Sequence, residues 1–253
     1  MPEFIYGLWP IMETLRAGRR DIEKLVMATH LDNKGLVGEI VTAAEEKGID
    51  VNRVQRRIID DIANGANHQG MALRVGGYPY VDVEDILQLA TEKGEKPFIL
   101  ILDLLKDPQN VGSLMRVADA VGIHGVVMQD RRSVSVTPAV VASSSGSVEH
   151  LRVAQVTNLV NAMKEIKDNN VWLVGMDVGP NVPPLDKTDL NMAVGMVMGS
   201  EGEGLRRLVR DTCDLLVTLP MRGQVGSLNV ATAGSIALYA AWQARNWEGW
   251  AHA

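Results

Sequence analysis

The stretch FILILDLLKDPQNVGSLMR, residues 98–116, decides how this chain reads. Its first five residues, Phe98 to Leu102, form an unbroken apolar run. A strand of that kind is buried on both faces, as in a parallel sheet covered by helices. Beyond Asp107 and Pro108, Val111, Leu114, Met115, Ala118 and Val121 recur at helical spacing, with Asn110 placed to cap the helix and Arg116 on a different face about two turns in. Further apolar runs at 126–128, 171–174, 192–198 and 215–219 are separated by helix-length segments. That alternation predicts an α/β domain with a parallel sheet over residues 98–253.

Working back toward the N-terminus, the periodicity predicts a helix over 7–16, a strand over 25–29, helices over 36–47 and 52–62, and a strand over 71–75. This is a small α/β unit, residues 1–76. Gly76, Gly77 and Pro79 interrupt regular structure, and 81–92 reads as a connecting helix, so 77–97 is expected to be a linker.

Composition narrows the classes. The chain has 253 residues, 46% of them apolar and 22% charged, which excludes disorder and coiled coil. Cys213 is the one cysteine, so no internal disulfide can form, and five scattered histidines show no zinc spacing. We therefore expect no metal and a reducing, cytoplasmic setting. No apolar run approaches the roughly 18 residues of a membrane span, and no membrane association is expected. The net charge of −6 gives no global sign of a nucleic-acid binder. Its distribution is uneven: residues 1–76 carry ten Lys and Arg against eleven Asp and Glu, and residues 77–253 fifteen against twenty. Two basic clusters, Arg16-Arg19-Arg20-Lys24 and Arg53-Arg56-Arg57, are candidates for local RNA phosphate contact; a solvated helix face with intrahelical pairs accounts for them equally well.

Two further segments depart from what packing alone selects. Met198-Gly199-Ser200-Glu201-Gly202-Glu203-Gly204 follows a strand and alternates glycine with polar residues, a pattern that suits close backbone approach to a ligand. It is neither G-x-G-x-x-G nor a Walker loop, and no G-x-S-x-G is present, so a dehydrogenase or a hydrolase is disfavoured. Leu219-Pro220-Met221 and then Ser227-Leu228-Asn229 lead into a helix over 231–241 rich in Ala, Gly and Ser, which must pack closely against something.

Together these residues resemble the SpoU (TrmH-like) RNA ribose 2′-O-methyltransferases of the SPOUT class. The motifs stand in family order: Asp107-Pro108-x-Asn110-x-Gly112-x-x-x-Arg116, Gly199-Ser200-Glu201-Gly202-x-Gly204, and Leu219-Pro220-Met221 with Ser227-Leu228-Asn229. Ser145-Gly146-Ser147, followed by Glu149 and His150, is similar to the family's serine-glycine segment. Ile5-Tyr6-Gly7 and His68-Gln69-Gly70 resemble the L30e-like substrate domain of the 23S rRNA (guanosine-2′-O-)-methyltransferase subgroup.

The resemblance implies a deep trefoil knot in the C-terminal domain, S-adenosyl-L-methionine as cofactor, and a homodimer in which one subunit completes the other's site. It implies cofactor contacts at Met198, Gly199, Gly204, Leu219, Met221, Ser227 and Leu228, and catalytic positions at Asn110, Arg116, Glu201, Ser227 and Asn229. The expected substrate is a guanosine of 23S rRNA, because tRNA-modifying relatives carry short helical extensions in place of an L30e-like module. A tRNA or another rRNA position is the second reading, and a non-catalytic RNA-binding module the third.

Overall fold

The computed structural model describes residues 2–179, 181–200 and 202–250, which fall into two compact units. One comprises residues up to Pro79 together with Val136–His150; the other comprises Tyr80–Ser135 and the chain from Leu151 onward. The division differs from a linear one in two places. Residues 136–150, expected within the C-terminal domain, pack with the N-terminal residues. The expected linker, from Tyr80 on, is part of the second unit, where α4 (Val83–Lys93) buries Val83, Ile86 and Ala90.

The first unit is a four-stranded sheet in the order β1-β4-β2-β3, formed by β1 (Glu3–Tyr6), β2 (Ile22–Ala28), β3 (Asp50–Val54) and β4 (Met71–Val75). β2 and β3 run parallel, while β4 is antiparallel to both β1 and β2. α1 (Leu8–Ala17) packs on α2 (Gly35–Glu46), and α3 (Arg56–Ala63) sets Ile59 against Val26, Ala28 and Ala72. The expected helix over 52–62 is corrected at its start. Residues up to Val54 pair with β2, Gln55 turns the chain, and only the stretch from Arg56 is helical.

Within this unit α6 (Pro138–Ser143), capped by Thr137, lies against β1, and the 3-10 turn Ser147–His150 lies against α1. The turn is anchored by Glu149, whose carboxylate accepts from Arg20 Nε at 2.9 Å and Nη2 at 2.8 Å. Both side chains are sealed from solvent, at 1% and 0% exposure.

The second unit is a six-stranded, wholly parallel sheet in the order β10-β8-β9-β5-β6-β7. Its strands are β5 (Phe98–Leu102), β6 (Gly125–Gln129), β7 (Val153–Val156), β8 (Trp172–Met176), β9 (Val194–Met198) and β10 (Leu215–Val217). Five were expected. β7, four residues at the sheet edge, gives no apolar run long enough to stand out. One face carries α7 (Leu159–Asp168), packed on α4 and α8 (Arg207–Thr212), over Ile99, Ile101, Val127, Leu173 and Val197. α5 (Pro108–Ala120) and α9 (Val230–Ala244) pack on each other, and α9 also meets β9, so the sheet is covered on both sides. A Cβ on Gly234 of α9 would lie 2.4 Å from Leu114 Cδ2 of α5, which explains the small residues of α9 by close approach within one chain. The cap of α5 is also corrected. Asp107 accepts the Gln109 and Asn110 N–H groups and Pro108 stands at the first helical position, which leaves the Asn110 side chain for another contact.

Candidate active site

Connections leave β5 toward β6 and β9 toward β10, in opposite directions along the sheet, so the carboxyl ends of β5 and β9 flank a topological switch point. That is where an open α/β sheet binds ligands. A cavity of about 640 Å³ opens there, within the range of small-molecule sites. Four segments wall it: Met176, Asp177 and Val178 at the end of β8; Met198, Gly199, Ser200, Gly202, Glu203 and Gly204 at the end of β9; Thr218, Leu219 and Met221 after β10; and 226–230 with Ala233 at the start of α9. All seven residues expected to touch a cofactor, Met198, Gly199, Gly204, Leu219, Met221, Ser227 and Leu228, line this one cavity.

The glycine loop is tightly made. Ser200 N donates to Gly204 O at 3.1 Å and Gly204 N to Ser200 O at 2.9 Å. Gly202 and Gly204 have φ of 80° and 69°, a region that costs other residues energy. A Cβ on Gly199 would fall 2.2 Å from Gly204 C, so no side chain fits there and main chain faces the cavity.

The positions expected to be catalytic divide into three. Ser227 and Asn229 line the cavity. Asn110 reaches it indirectly: Asn229 Nδ2 donates to Asn110 Oδ1 at 2.9 Å, while Asn229 Oδ1 caps α9 by accepting from Ala231 N at 2.8 Å. One side chain thus ties the first motif to the third. Arg116, on the exposed face of α5, is not among the lining residues of this single chain. Glu201 lies outside the described residues.

Of the basic clusters, one is largely withdrawn from solvent. Arg20 is buried against Glu149, with Glu3 also in reach, and is corrected from an RNA-facing to an internal residue. Arg19 donates to Tyr78 Oη, Glu149 O and Pro79 O and is half-buried. Arg16 is exposed and paired with Glu13 at 2.7 Å. Arg53, Arg56 and Arg57 are all exposed; Arg53 donates to Asn33 Oδ1 and Leu31 O, and Arg56 lies 3.8 Å from Asp60.

Sequence reasoning missed Met176, Asp177 and Val178. The signal was present, because they directly follow an expected strand at its ligand-binding end. It also missed Asp103 and Arg206, whose charged side chains pair where the chain leaves the glycine loop. Cys213 is not a nucleophile at neutral pH, since burial, reinforced by the nearby Asp214 carboxylate, pushes its thiol up to about 12. Among the described residues there is no group of three or more His, Cys, Asp and Glu side chains that could hold a metal, and no helix long and apolar enough to cross a membrane.

The fold and the cavity define a parallel α/β domain with a nucleotide-sized site at its switch point. Residues 97–239 match the family model of the SpoU rRNA Methylase family, and residues 4–81 that for RNA 2′-O ribose methyltransferase substrate binding. The YacO protein of Bacillus subtilis (strain 168), assigned to the TrmH family of tRNA/rRNA methyltransferases, is 41% identical over 96% of each chain. The SpoU methyltransferase AviRb of Streptomyces viridochromogenes, crystallised with the cofactor AdoMet, shares the fold at a TM-score of 0.79 and 24% identity, over 97% of this chain and 91% of that one. An rRNA methyltransferase from Sinorhizobium meliloti does so at 0.76 and 22%, over 96% and 87%. The chain belongs to the SpoU family, RNA 2′-O-ribose methyltransferases that use S-adenosylmethionine.

The residues present fit that cofactor. The thioether and alkyl groups of Met176, Met198, Leu219 and Leu228 suit an adenine face, and exposed main chain at Gly199 and Gly204 suits its polar edge. Asp177 and Glu203 put negative charge around a ligand whose sulfonium and ammonium are positive.

Proposed function

We propose that this enzyme 2′-O-methylates a guanosine of 23S rRNA as a cytoplasmic homodimer, using the cavity between β8, β9, β10 and the start of α9. The observation that carries the rRNA reading is the substrate-binding module matched over residues 4–81, ahead of the methylase domain. Mapping ribose methylation in rRNA and tRNA from cells with and without the gene tests it. Loss at one 23S guanosine is expected, and loss confined to tRNA would overturn it.

The bound cofactor supplies an electrophilic methyl group that is displaced in line from sulfur. The protein's part is to align a ribose oxygen with that carbon and to manage one proton. We assign Arg116 to gripping the neighbouring RNA phosphate. A guanidinium carries five donors and no acceptor and stays charged at neutral pH, so it orients the ribose and stabilises developing oxyanion charge rather than removing the proton. Asn110 and Asn229 hold the two motifs in register, Ser227 adds a hydroxyl to the cavity wall, we assign Glu201 to orienting the arginine, the loops or the substrate, and the two loop segments form the knot of this family.

The dimer reading draws support from two features of the second unit. Arg116 does not line the cavity of its own chain, and α9 leaves Ile236 and Tyr239 43% and 44% exposed, while Leu228 and Met221 of the cavity wall are exposed as well. Such an apolar surface suits a second copy that brings its own Arg116 to the site. Replacing Arg116 with Ala is expected to abolish methylation while cofactor binding survives; retained turnover would remove Arg116 from the mechanism.

Arg53, Arg56 and Arg57, with the exposed Arg16, are the phosphate-binding side chains we assign to the first unit. RNA affinity should fall with salt, and the triple Ala variant of the first three should flatten that slope by about 0.7–0.9 for each phosphate that is no longer neutralised.

A further inference from the structure

Asp103 closes β5 and is completely buried, yet its carboxylate is committed to a residue that follows the glycine loop. Oδ2 accepts from Arg206 N at 2.9 Å, and Oδ1 accepts from Arg206 Nε at 2.7 Å and lies 2.6 Å from Nη2. Nη2 also donates to Gln129 Oε1 at 2.6 Å, at the end of β6. Asp103 N donates to Met198 O at 2.8 Å, the residue from which the loop departs. The departure and the return of the Gly199–Leu205 segment are therefore pinned to the same aspartate. Neither Asp103, Arg206 nor Gln129 lines the cavity itself.

We propose that Asp103, Arg206 and Gln129 are positioning residues for the cofactor, forming a clamp that fixes the main-chain wall made by Gly199, Ser200 and Gly204. A buried carboxylate needs its counter-charge, so Asp103 holds Arg206 in place more firmly than a surface pair could. An arginine is required because its planar fork serves two acceptors on two strands, which a lysine ammonium cannot match. Among the described residues the loop's own cross-links all join Ser200 to Gly204, a glycine of positive φ, so without the clamp its return is free to shift relative to β9. The inference rests on reading this cavity as the cofactor site.

The test is calorimetric binding of S-adenosylmethionine to the full-length protein, with melting temperature and steady-state kinetics measured alongside. Arg206→Lys is expected to weaken binding about tenfold, the scale of one or two charge-assisted hydrogen bonds. The loss should fall on the KM for the cofactor rather than on kcat, and Gln129→Ala should show a smaller loss of the same kind. Undiminished affinity in Arg206→Lys overturns the proposal, as does an affinity loss that returns in full when binding is repeated at a temperature lowered by the shift in melting point. Leu228→Arg, which puts a bulky charge into the cavity, separates the two claims. If it leaves cofactor affinity intact, the site assignment fails; if it abolishes binding while Arg206→Lys does not weaken it, only the clamp fails.

Discussion

Arg20–Glu149 in the first unit and Asp103–Arg206 in the second are the same chemical pair in opposite settings. In the first, both partners are buried, Tyr78 stacks on the guanidinium at 5.1 Å, and its hydroxyl donates to Val148 O at 2.9 Å. In the second, the carboxylate is buried while the arginine side chain keeps 40% of its surface and stands beside a cavity. A sealed pair fastens one segment of chain to another and is felt through stability. A half-open pair at the mouth of a sheet has an additional consequence, because movement of its exposed partner changes the shape of a ligand site. What the guanidinium is anchored beside, more than the bond itself, decides which consequence dominates.

The largest expected effect breaks the sealed pair. Glu149→Ala leaves Arg20 charged and buried, with the half-exposed Glu3 as its remaining paired carboxylate among the described residues and Gly76 O as a neutral acceptor, and should cost about 3–5 kcal/mol in urea unfolding. A cost under about 1 kcal/mol, the scale of an exposed pair, would show that water reaches Arg20 and would erase the contrast. Next comes the packing of the second unit. Gly234→Ala sets a methyl 2.4 Å from Leu114 Cδ2 and should cost about 1–3 kcal/mol by overpacking. The cost should shrink in the double variant with Leu114→Val, read as non-additivity in a double-mutant cycle.

These two positions also mark how far the sequence could be read. Gly234 lay in a helix whose small residues announced close packing, and the structure supplies the partner, α5. The parallel sheet was legible because β5, β6 and β9 are buried almost throughout, and these together with β8 and β10 read as apolar runs. The glycine-bearing wall of the cavity was legible because its glycines stand at a strand end, where close backbone approach is a principal use for them. Glu149 was visible only as a family-like residue, since nothing local tells that residues 136–150 leave the second unit and fold with the first. Arg20 was misplaced for the same reason: a basic cluster looks alike whether its partner is water or a carboxylate 129 positions away. β1 and β7 were too short for a period, and β3 shares Val51 and Val54 with a plausible helical stripe.

A smaller effect probes the joint between motifs. Asn229→Ala removes the cap of α9 and the hydrogen bond to Asn110, and should lower stability by about 1 kcal/mol. Asn229→Asp retains the cap but replaces the amide donor to Asn110 Oδ1. Recovered stability with unrecovered methylation would separate the two uses of this side chain.

The smallest effect is a pH dependence confined to the second unit. His124 is buried, and its Nδ1 accepts from Phe98 N at 3.0 Å, so the ring is neutral with its proton on Nε2, 3.1 Å from Glu95 Oε2. Burial lowers its pKa from the ordinary 6.5; Glu95 opposes the shift, and Lys93 and Arg245 add to it. The unfolded chain therefore takes up this proton at a higher pH than the folded one does. The stabilisation is fully present above pH 6.5 and is lost as pH falls from there through the lowered folded value. Unfolding free energies between pH 7.5 and 5.5 should decline more steeply in the wild type than in His124→Asn, which keeps an acceptor for Phe98 N–H but cannot titrate. Equal slopes would mean that Glu95 compensates the buried charge completely, and that the neutral ring is not what joins the start of β5 to the turn before β6.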